Sequence, residues 1–469
     1  MACQAATHAV WPLFWVLSPV IESVRKIRCL TSSNFDWTTC LGTITQQEPI
    51  INDQVRIKLI DQDYICGLYL KVCDSDWMVE DFDAWRTLIL NDKPVPKEPV
   101  PSGKATYKIL QLNDIHSDDL YKEGTSIDCS SSTYCCQNSF PHPKGPLDSA
   151  GYWGSPYSLC DIPHRTYEGA MNWINKNIQV DYAILLGDVT NHSQGEMGET
   201  RRQSFTKYVA DVIRKTWGPK WPTFPIIGNH ELYPIDQYDN YLDSLSPHLV
   251  KTAGLWEGVA TPEVLEQLKT KGYYAYSLPG RKVKFVNIFV GLDDDFNMYN
   301  FKMDWDPTAQ FEWLYNTLKE SESKGEGVFI LKHIPLGSTI GESVSKHLLV
   351  ILDRFANTLR GVFAAHTHAD EVSFVRDGEG GFIAPQFVGA SLTTYQWGSH
   401  PSFRVYTVDS ESHTVVDLET WVLDLDKANQ HPTADYEVTF EKFYSFKDAY
   451  GLQDLSFGTW EAVDKKRQA

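Results

Sequence analysis

The spacing of apolar residues divides the chain into two parts. Before residue 92, apolar side chains recur three or four positions apart, as in Val24, Ile27 and Leu30, and this spacing predicts a small, mostly helical block over residues 1–92. From residue 107 onward, short uninterrupted apolar runs alternate with helical patterns. Such runs are typical of strands that are buried on both faces, so residues 107–405 are predicted to form an α/β domain.

Six apolar runs are the predicted strands of this domain. They span residues 107–112, 182–186, 224–227, 283–290, 327–331 and 361–365. Residues 93–106 contain four prolines between Pro94 and Pro101, which predicts a stiff linker between the two parts. Residues 406–469 are expected to continue a strand at 405–408 and then to form an aromatic, helical tail.

Five of the six runs are followed directly by side chains that bind metal ions. In chain order these residues are Asp114 and His116, Asp188, Asn229 and His230, His333, and finally His366 and His368. Because sites in α/β sheets assemble at the carboxyl ends of strands, we expect these side chains to lie close together. Imidazole and carboxylate ligands suit a pair of divalent ions such as zinc. Asp188 is the predicted ligand that bridges the two ions.

The order Asp-x-His, Gly-Asp, Gly-Asn-His-Glu, His and His-x-His resembles that of the calcineurin-like metallophosphoesterases. The resemblance implies an α/β sandwich of two sheets flanked by helices, with two Zn²⁺ ions bound per chain. One ion would be held by Asp114, His116, Asp188 and His368, and the other by Asp188, Asn229, His333 and His366. Purple acid phosphatases carry a ligand tyrosine where this chain has Asn191, so that branch of the family is disfavoured.

The nine cysteines all lie in the first third of the chain, at positions 3, 29, 40, 66, 73, 129, 135, 136 and 160. This clustering favours disulfides formed in an oxidising compartment, so the protein is expected to be secreted or lysosomal. An odd number leaves one cysteine without a partner in the chain. The nearest apolar candidate for a signal peptide, residues 9–21, contains Pro12 and Pro19 and lacks preceding basic residues, so a buried helix is the favoured interpretation.

The cysteine spacing extends the resemblance to the acid sphingomyelinase family. In that group the four cysteines after the first motif pair first with second and third with fourth, which here are Cys129 with Cys135 and Cys136 with Cys160. The N-terminal block, with Cys29 and Cys40 and then Cys66 and Cys73, resembles a saposin-type domain. Pairing of Cys3 with Cys66 would leave Cys73 without a partner, and the chain is then expected to begin inside that domain.

The family resemblance implies hydrolysis of sphingomyelin to ceramide and phosphocholine, with His192 and His230 donating the proton to the leaving oxygen. The saposin-like block would lie on the membrane surface and present the lipid. Two alternatives stay open: hydrolysis of nucleotides or other soluble phosphodiesters, and a lipid-binding protein with an inactive phosphatase fold.

The net charge and the remaining polar residues limit the kinds of partner that the protein is expected to have. The net charge is −19, from 42 basic and 61 acidic residues, so a nucleic-acid partner is not expected. Five histidines outside the motifs are predicted to be surface or loop residues: His142, His248, His347, His413 and His431. The glycosylation sequence at Asn191 lies inside the metal motif, and we therefore do not expect a glycan there.

Overall fold

The computed structural model describes most of the chain from residue 82 onward. The described residues are 42, 45–47, 49, 50, 82–97, 99–129, 135–138, 143, 145, 148–193, 197–294, 296–302, 306–338, 342–395, 399–456, 458 and 459. The predicted saposin-like block therefore lies almost wholly outside the described residues, and so do Cys3, Cys29, Cys40, Cys66 and Cys73. Their predicted fold and pairing stay predictions.

The described residues form alternating strands and helices. The strands are β1 (Thr106–Leu112), β2 (Ser117–Asp118), β3 (Ile162–Pro163), β4 (Tyr182–Leu185), β5 (Thr223–Pro225), β6 (Tyr274–Ser277), β7 (Val283–Asn287), β8 (Gly327–Leu331), β9 (Leu359–Ala364), β10 (Glu371–Arg376), β11 (Phe382–Val388), β12 (Ser402–Asp409), β13 (Val415–Leu423) and β14 (Phe440–Ser445). The helices are α1 (Phe82–Leu90), α2 (His164–Asn177), α3 (Glu199–Thr216), α4 (Pro247–Gly254), α5 (Pro262–Lys271), α6 (Val290–Asp293), α7 (Gln310–Lys324), α8 (Glu342–Arg354), α9 (Leu425–Ala428) and α10 (Phe446–Tyr450).

Two six-stranded sheets pack face to face. The strand order is β14-β13-β12-β1-β4-β5 in the first sheet and β10-β11-β9-β8-β7-β6 in the second. Aromatic side chains interlock between the sheets, with the ring of Tyr406 4.8 Å from that of Phe363 and 5.4 Å from that of Phe387. The predicted sandwich of two sheets flanked by helices is confirmed.

The predicted apolar runs coincide with β1, β4, β5, β7, β8 and β9. Every residue of β4 and β8 is buried, as expected for strands covered on both faces. β1 pairs in parallel with β4, and β4 with β5, so their carboxyl ends meet at one edge of the first sheet. β8 and β9 are likewise parallel in the second sheet. The motif residues therefore emerge on one side of the sandwich.

The C-terminal region differs from the sequence prediction. The expected boundary at residue 405 falls inside β12, which pairs along its length with β1. The tail predicted to be helical instead contributes β13 and β14 to the first sheet, followed by the short helix α10. Inward and outward residues alternate in parts of β13, and the aromatic side chains that suggested a helix pack on the sheet, as Trp421 does on Phe403.

Two of the histidines predicted to be surface or loop residues, His248 and His347, are instead buried on helices, and His413, which lies in the loop after β12, is buried as well. His347, on α8, packs against Trp85 of α1 with ring centroids 4.6 Å apart. His413 contacts the hydroxyl of Tyr107, and His248 lies against the loop after β5. Each ring is enclosed by elements distant in sequence, which a local pattern does not reveal.

Both disulfides implied by the resemblance for the second cysteine group are present. Cys129 bonds to Cys135, and Cys136 bonds to Cys160. All four cysteines are buried. Among the described residues, no helix combines the length and apolar character needed to cross a membrane.

Candidate metal centre

The structure brings the seven predicted ligands to one edge of the sandwich. Each follows the end of a strand: Asp114 and His116 follow β1, Asp188 follows β4, Asn229 follows β5, His333 follows β8, and His366 and His368 follow β9. Six of them are buried, and His366 is half-buried. A cluster of this kind, formed by five separate strand ends, is a site that only the folded chain can assemble.

Asp188 lies between the two groups of ligands. Its Oδ2 atom is 3.1 Å from Nε2 of His333 and 3.6 Å from Nε2 of His116. These two histidines belong to different predicted metal sites. His368 lies beside the remaining carboxylate, with Nε2 3.7 Å from Oδ1 of Asp114. The carboxylate of Asp188 therefore has the position that a bridging ligand requires.

The backbone is strained at this edge. Ten described non-glycine residues have a positive φ, and five of them are predicted ligands: Asp114 at 47°, His116 at 37°, Asp188 at 55°, His366 at 71° and His368 at 56°. Each such conformation costs on the order of 1–3 kcal/mol, and the surrounding structure must compensate for it. These backbone conformations direct several side chains from the strand ends toward a common centre.

Backbone carbonyl groups fix the histidine rings. Nδ1 of His116 donates to the carbonyl oxygen of Thr190 at 2.6 Å, and Nδ1 of His333 donates to that of Leu186 at 2.6 Å. Nδ1 of His368 donates to the carbonyl of Tyr395 at 2.9 Å. Because Nδ1 of each ring holds its proton in this hydrogen bond, Nε2 is the nitrogen through which the ring can bind a metal ion.

Two glycines permit the close approach of the loops after β4 and β5. A Cβ atom on Gly187 would lie 2.6 Å from the backbone nitrogen of Gly228. A Cβ atom on Gly228 would lie 2.2 Å from Oδ1 of Asp188. Glu231 then joins the loops, because its carboxylate accepts the N–H groups of Asp188 at 2.8 Å and Gly228 at 2.9 Å.

The donor atoms fit a pair of metal ions. Nε2 of His116 and Oδ1 of Asn229 are buried and have no hydrogen-bond partner among the described residues. An unsatisfied buried polar atom costs about 1–3 kcal/mol, and coordination to a cation would satisfy both. The mixed nitrogen and oxygen set suits zinc, manganese or iron. The residues present therefore match a dimetal centre.

The charges within the cluster also suit a site that binds cations. Burial opposes the charge on Asp188, yet the neighbouring His333 and His230 hold the pKa of this carboxyl well below its usual range. Burial raises the pKa of Asp114 to about 7. Burial also opposes a charge on His333, but Asp188 beside it raises the pKa of that imidazole to about 9. Asp188 thus stabilises a positive charge on His333.

His192 and His230, the predicted proton donors, border the ligand cluster. The His192 ring is 4.0 Å from that of His116, and the His230 ring is 4.6 Å from both. Burial lowers the pKa of His230 well below its ordinary value, although Asp188 opposes this effect. The two rings are therefore neighbours in the cleft, and they differ in the groups that surround them.

Comparison with known proteins gives the family. Residues 107–370 match the family described as calcineurin-like phosphoesterase. Sphingomyelin phosphodiesterase 1 of Caenorhabditis elegans is 30% identical over 97% of this chain and 81% of its own length. The chain belongs to the sphingomyelin phosphodiesterase family. Sphingomyelin phosphodiesterase of Homo sapiens is 31% identical over 86% of this chain and 64% of its own. The cyclic GMP-AMP phosphodiesterase SMPDL3A of Bos taurus is 25% identical over 77% of this chain and 80% of its own.

Several residues of the site were not assigned from the sequence. Glu231 stands in the Gly-Asn-His-Glu motif, but its role in joining two loops appears only in the structure. Asp161 accepts a hydrogen bond from the His192 ring and was not singled out at all. The single local signal for Asp161 is its position directly after Cys160.

The side chain at position 191 serves the fold of the site. Asn191 is 1% exposed, and its amide donates to Oδ1 of Asp118 at 2.8 Å. Oδ2 of Asp118 accepts from Gln137 at 2.7 Å. A buried amide engaged in this way cannot carry a glycan, in agreement with the sequence interpretation.

Proposed function

We propose that this protein is a sphingomyelin phosphodiesterase that hydrolyses sphingomyelin to ceramide and phosphocholine. The observation that carries the proposal is that the seven predicted ligands, Asp188 among them, lie at one edge of the sandwich in a member of the sphingomyelin phosphodiesterase family. A full ligand set also argues against the third possibility, a lipid-binding protein with an inactive phosphatase fold.

The chemistry follows from the residues at the cleft. Two divalent ions bound here would activate water as the nucleophile and stabilise negative charge on the phosphoryl oxygens. The bond between phosphorus and the ceramide oxygen breaks, and the leaving alkoxide is a poor leaving group that needs a proton. Because burial lowers the pKa of His230, we assign the proton donation to His192 and contact with the phosphoryl group to His230.

We further propose zinc as the native metal, because the imidazole-rich donor set suits it. A secreted or lysosomal location is proposed because two buried disulfides lie beside the site, and such bonds persist in oxidising compartments. The saposin-like block over residues 1–92 is proposed to contact the membrane surface and to present the lipid. The net charge of −19 supports the expectation that nucleic acid is not a partner.

The alternative substrate is a nucleotide or another soluble phosphodiester. It is supported by the similarity to a relative whose name is cyclic GMP-AMP phosphodiesterase. The metal centre does not discriminate between the two, since both substrates contain the same phosphodiester group. The parts of the molecule that bind the leaving group decide between them.

A direct test compares the two substrate classes on the purified full chain. Hydrolysis of sphingomyelin vesicles and of a cyclic dinucleotide is measured at pH 5 and pH 7, with zinc added or chelated. We expect zinc-dependent release of phosphocholine that is faster than hydrolysis of the dinucleotide. Asp188→Ala is the inactive reference, and His431→Ala, an exposed histidine remote from the ligand motifs, is the matched control. Preference for the dinucleotide would favour the alternative substrate.

A further inference from the structure

The carboxylate of Asp161 holds His192 at two points. Its Oδ2 accepts the backbone N–H of His192 at 2.7 Å, and its Oδ1 accepts the ring Nδ1–H at 2.7 Å. Oδ1 also accepts the hydroxyl of Thr393 at 3.0 Å. Asp161 and His192 are both buried, with exposed fractions of 4% and 7%. The contact is therefore a fixed part of the folded structure.

The faces of the His192 ring are also enclosed. Tyr395 stacks on it with ring centroids 3.7 Å apart and an angle of 14° between the planes. The ring of His116 lies 4.0 Å from it. The plane of the imidazole is thus set by stacking, and its rotation within that plane is set by Asp161.

Two distant chain segments hold Asp161 itself. The preceding residue, Cys160, is bonded to Cys136, and its carbonyl oxygen accepts the hydroxyl of Thr394 at 2.7 Å. Asp161 accepts the hydroxyl of Thr393, the neighbour of Thr394. The disulfide loop and the segment before β12 are therefore joined at the point where His192 is oriented.

We propose that Asp161 is the positioning residue for His192 in the cleavage step, an inference that rests on the proposed function. By accepting a hydrogen bond from Nδ1–H, it leaves Nε2 facing the cleft, and in the doubly protonated ring Nε2–H is the group that donates. The attacking water loses a proton to solvent and its oxygen bonds to phosphorus, the bond from phosphorus to the ceramide oxygen breaks, and that oxygen takes the proton from Nε2, which leaves the ring neutral. No proton moves to Asp161, whose part is to fix the ring and its tautomer.

The test uses two substrates that differ in their need for a proton. Sphingomyelin releases an alkoxide that must be protonated, whereas bis(4-nitrophenyl) phosphate releases a stable phenolate that needs no proton. Asp161→Asn in the zinc-loaded full chain is compared with the unchanged protein for kcat on each substrate and for bound zinc. We expect kcat on sphingomyelin to fall by about 10²-fold or more, and kcat on the aryl substrate by less than about threefold. Bound zinc is expected to stay unchanged.

Thr393→Val is the second variant, because it keeps the carboxylate and removes the hydrogen bond from Thr393 to Asp161, together with the one that Thr393 accepts from the backbone N–H of Tyr395. We expect it to show the same substrate dependence with a smaller effect, about threefold to tenfold on sphingomyelin. An equal fall on both substrates in Asp161→Asn, or loss of zinc, would overturn the proposal.

Failure of the proposed function gives a different result. If the unchanged protein cleaves the dinucleotide and not sphingomyelin, the dinucleotide becomes the alkoxide-releasing substrate and the same comparison tests Asp161. Thermal unfolding of both variants, measured alongside, shows that the compared proteins are folded.

Discussion

Two clusters of histidine and aspartate in this molecule have similar distances between their potential ligand atoms but differ in their hydrogen bonds. One is the metal centre around Asp188. The other, which we call the distal cluster, consists of His400, Asp424 and Asp426. In both, groups of three residues have potential ligand atoms within 4.8 Å of one another. Proximity of the right residue types is therefore not what distinguishes a metal site.

The difference lies in the hydrogen bonds already made. In the distal cluster, Nδ1 of His400 accepts the N–H of Leu425 at 3.0 Å, so in the neutral ring Nε2 carries the proton and has no lone pair for a metal. Asp424 caps α9 by accepting the N–H of Lys427 and also pairs with that side chain. In the metal centre His116, His333 and His368 donate through Nδ1, so that Nε2 is the nitrogen left to bind a metal ion. Histidine ligands must therefore be close together and must also present the nitrogen that can bind the metal.

The largest effect is expected from Asp188→Ala. This change removes the carboxylate that lies between the two ligand groups, so we expect zinc to fall from two ions to fewer than one per chain. Activity on sphingomyelin is expected to fall by more than about 10⁴-fold, since both ions contribute to the reaction. Elemental analysis and vesicle hydrolysis measure the two outcomes. Retention of both ions would show that Asp188 is not the bridging ligand.

His192→Ala separates catalysis from metal binding at the same centre. His192 is outside the predicted ligand set and is held by Asp161 and Tyr395. We expect kcat on sphingomyelin to fall by about 10²–10⁴-fold, the usual contribution of a general acid, with two zinc ions still bound. Loss of metal from this variant would place His192 among the ligands instead.

Proton release on zinc binding tests the difference in histidine chemistry between the metal centre and the distal cluster. The pKa of His333 is raised to about 9 despite burial, because Asp188 lies beside it. At about pH 8 the metal-free protein therefore carries this proton, and a metal-bound nitrogen cannot keep it. We expect zinc binding to release about one proton from His333 and its apparent affinity to rise with pH up to about 9. Calorimetry in two buffers with different ionisation enthalpies measures the release. His333→Gln is expected to abolish it.

The smallest effect is expected from Asp424→Ala in the distal cluster. The carboxylate caps α9, so its removal is expected to lower the free energy of unfolding by about 1 kcal/mol. Zinc content and activity are expected to stay as in the unchanged protein. A fall in bound zinc would mean that the distal cluster also holds a metal ion, and the comparison would then fail.

The sequence determined a large part of this protein by itself. The apolar runs located six strands of the two sheets, and the ligand residues stand directly after five of them because strand ends deliver side chains to one edge of a sheet. The cysteine spacing, through the family resemblance, located two disulfides. These features are local, since each depends on a few adjacent residues whose pattern is visible in one dimension.

The tertiary structure decided what depends on contacts between distant segments. Asp161 and Thr393 meet across 232 positions of the chain, and no local pattern marks either residue as a neighbour of His192. β13 and β14 were mistaken for a helical tail because their pairing partners, rather than their own residues, make them strands. Which nitrogen of a histidine is available to a metal likewise depends on the group opposite the other nitrogen. Such groups are supplied by folding, because only packing brings a carbonyl, a carboxylate or an N–H to the ring.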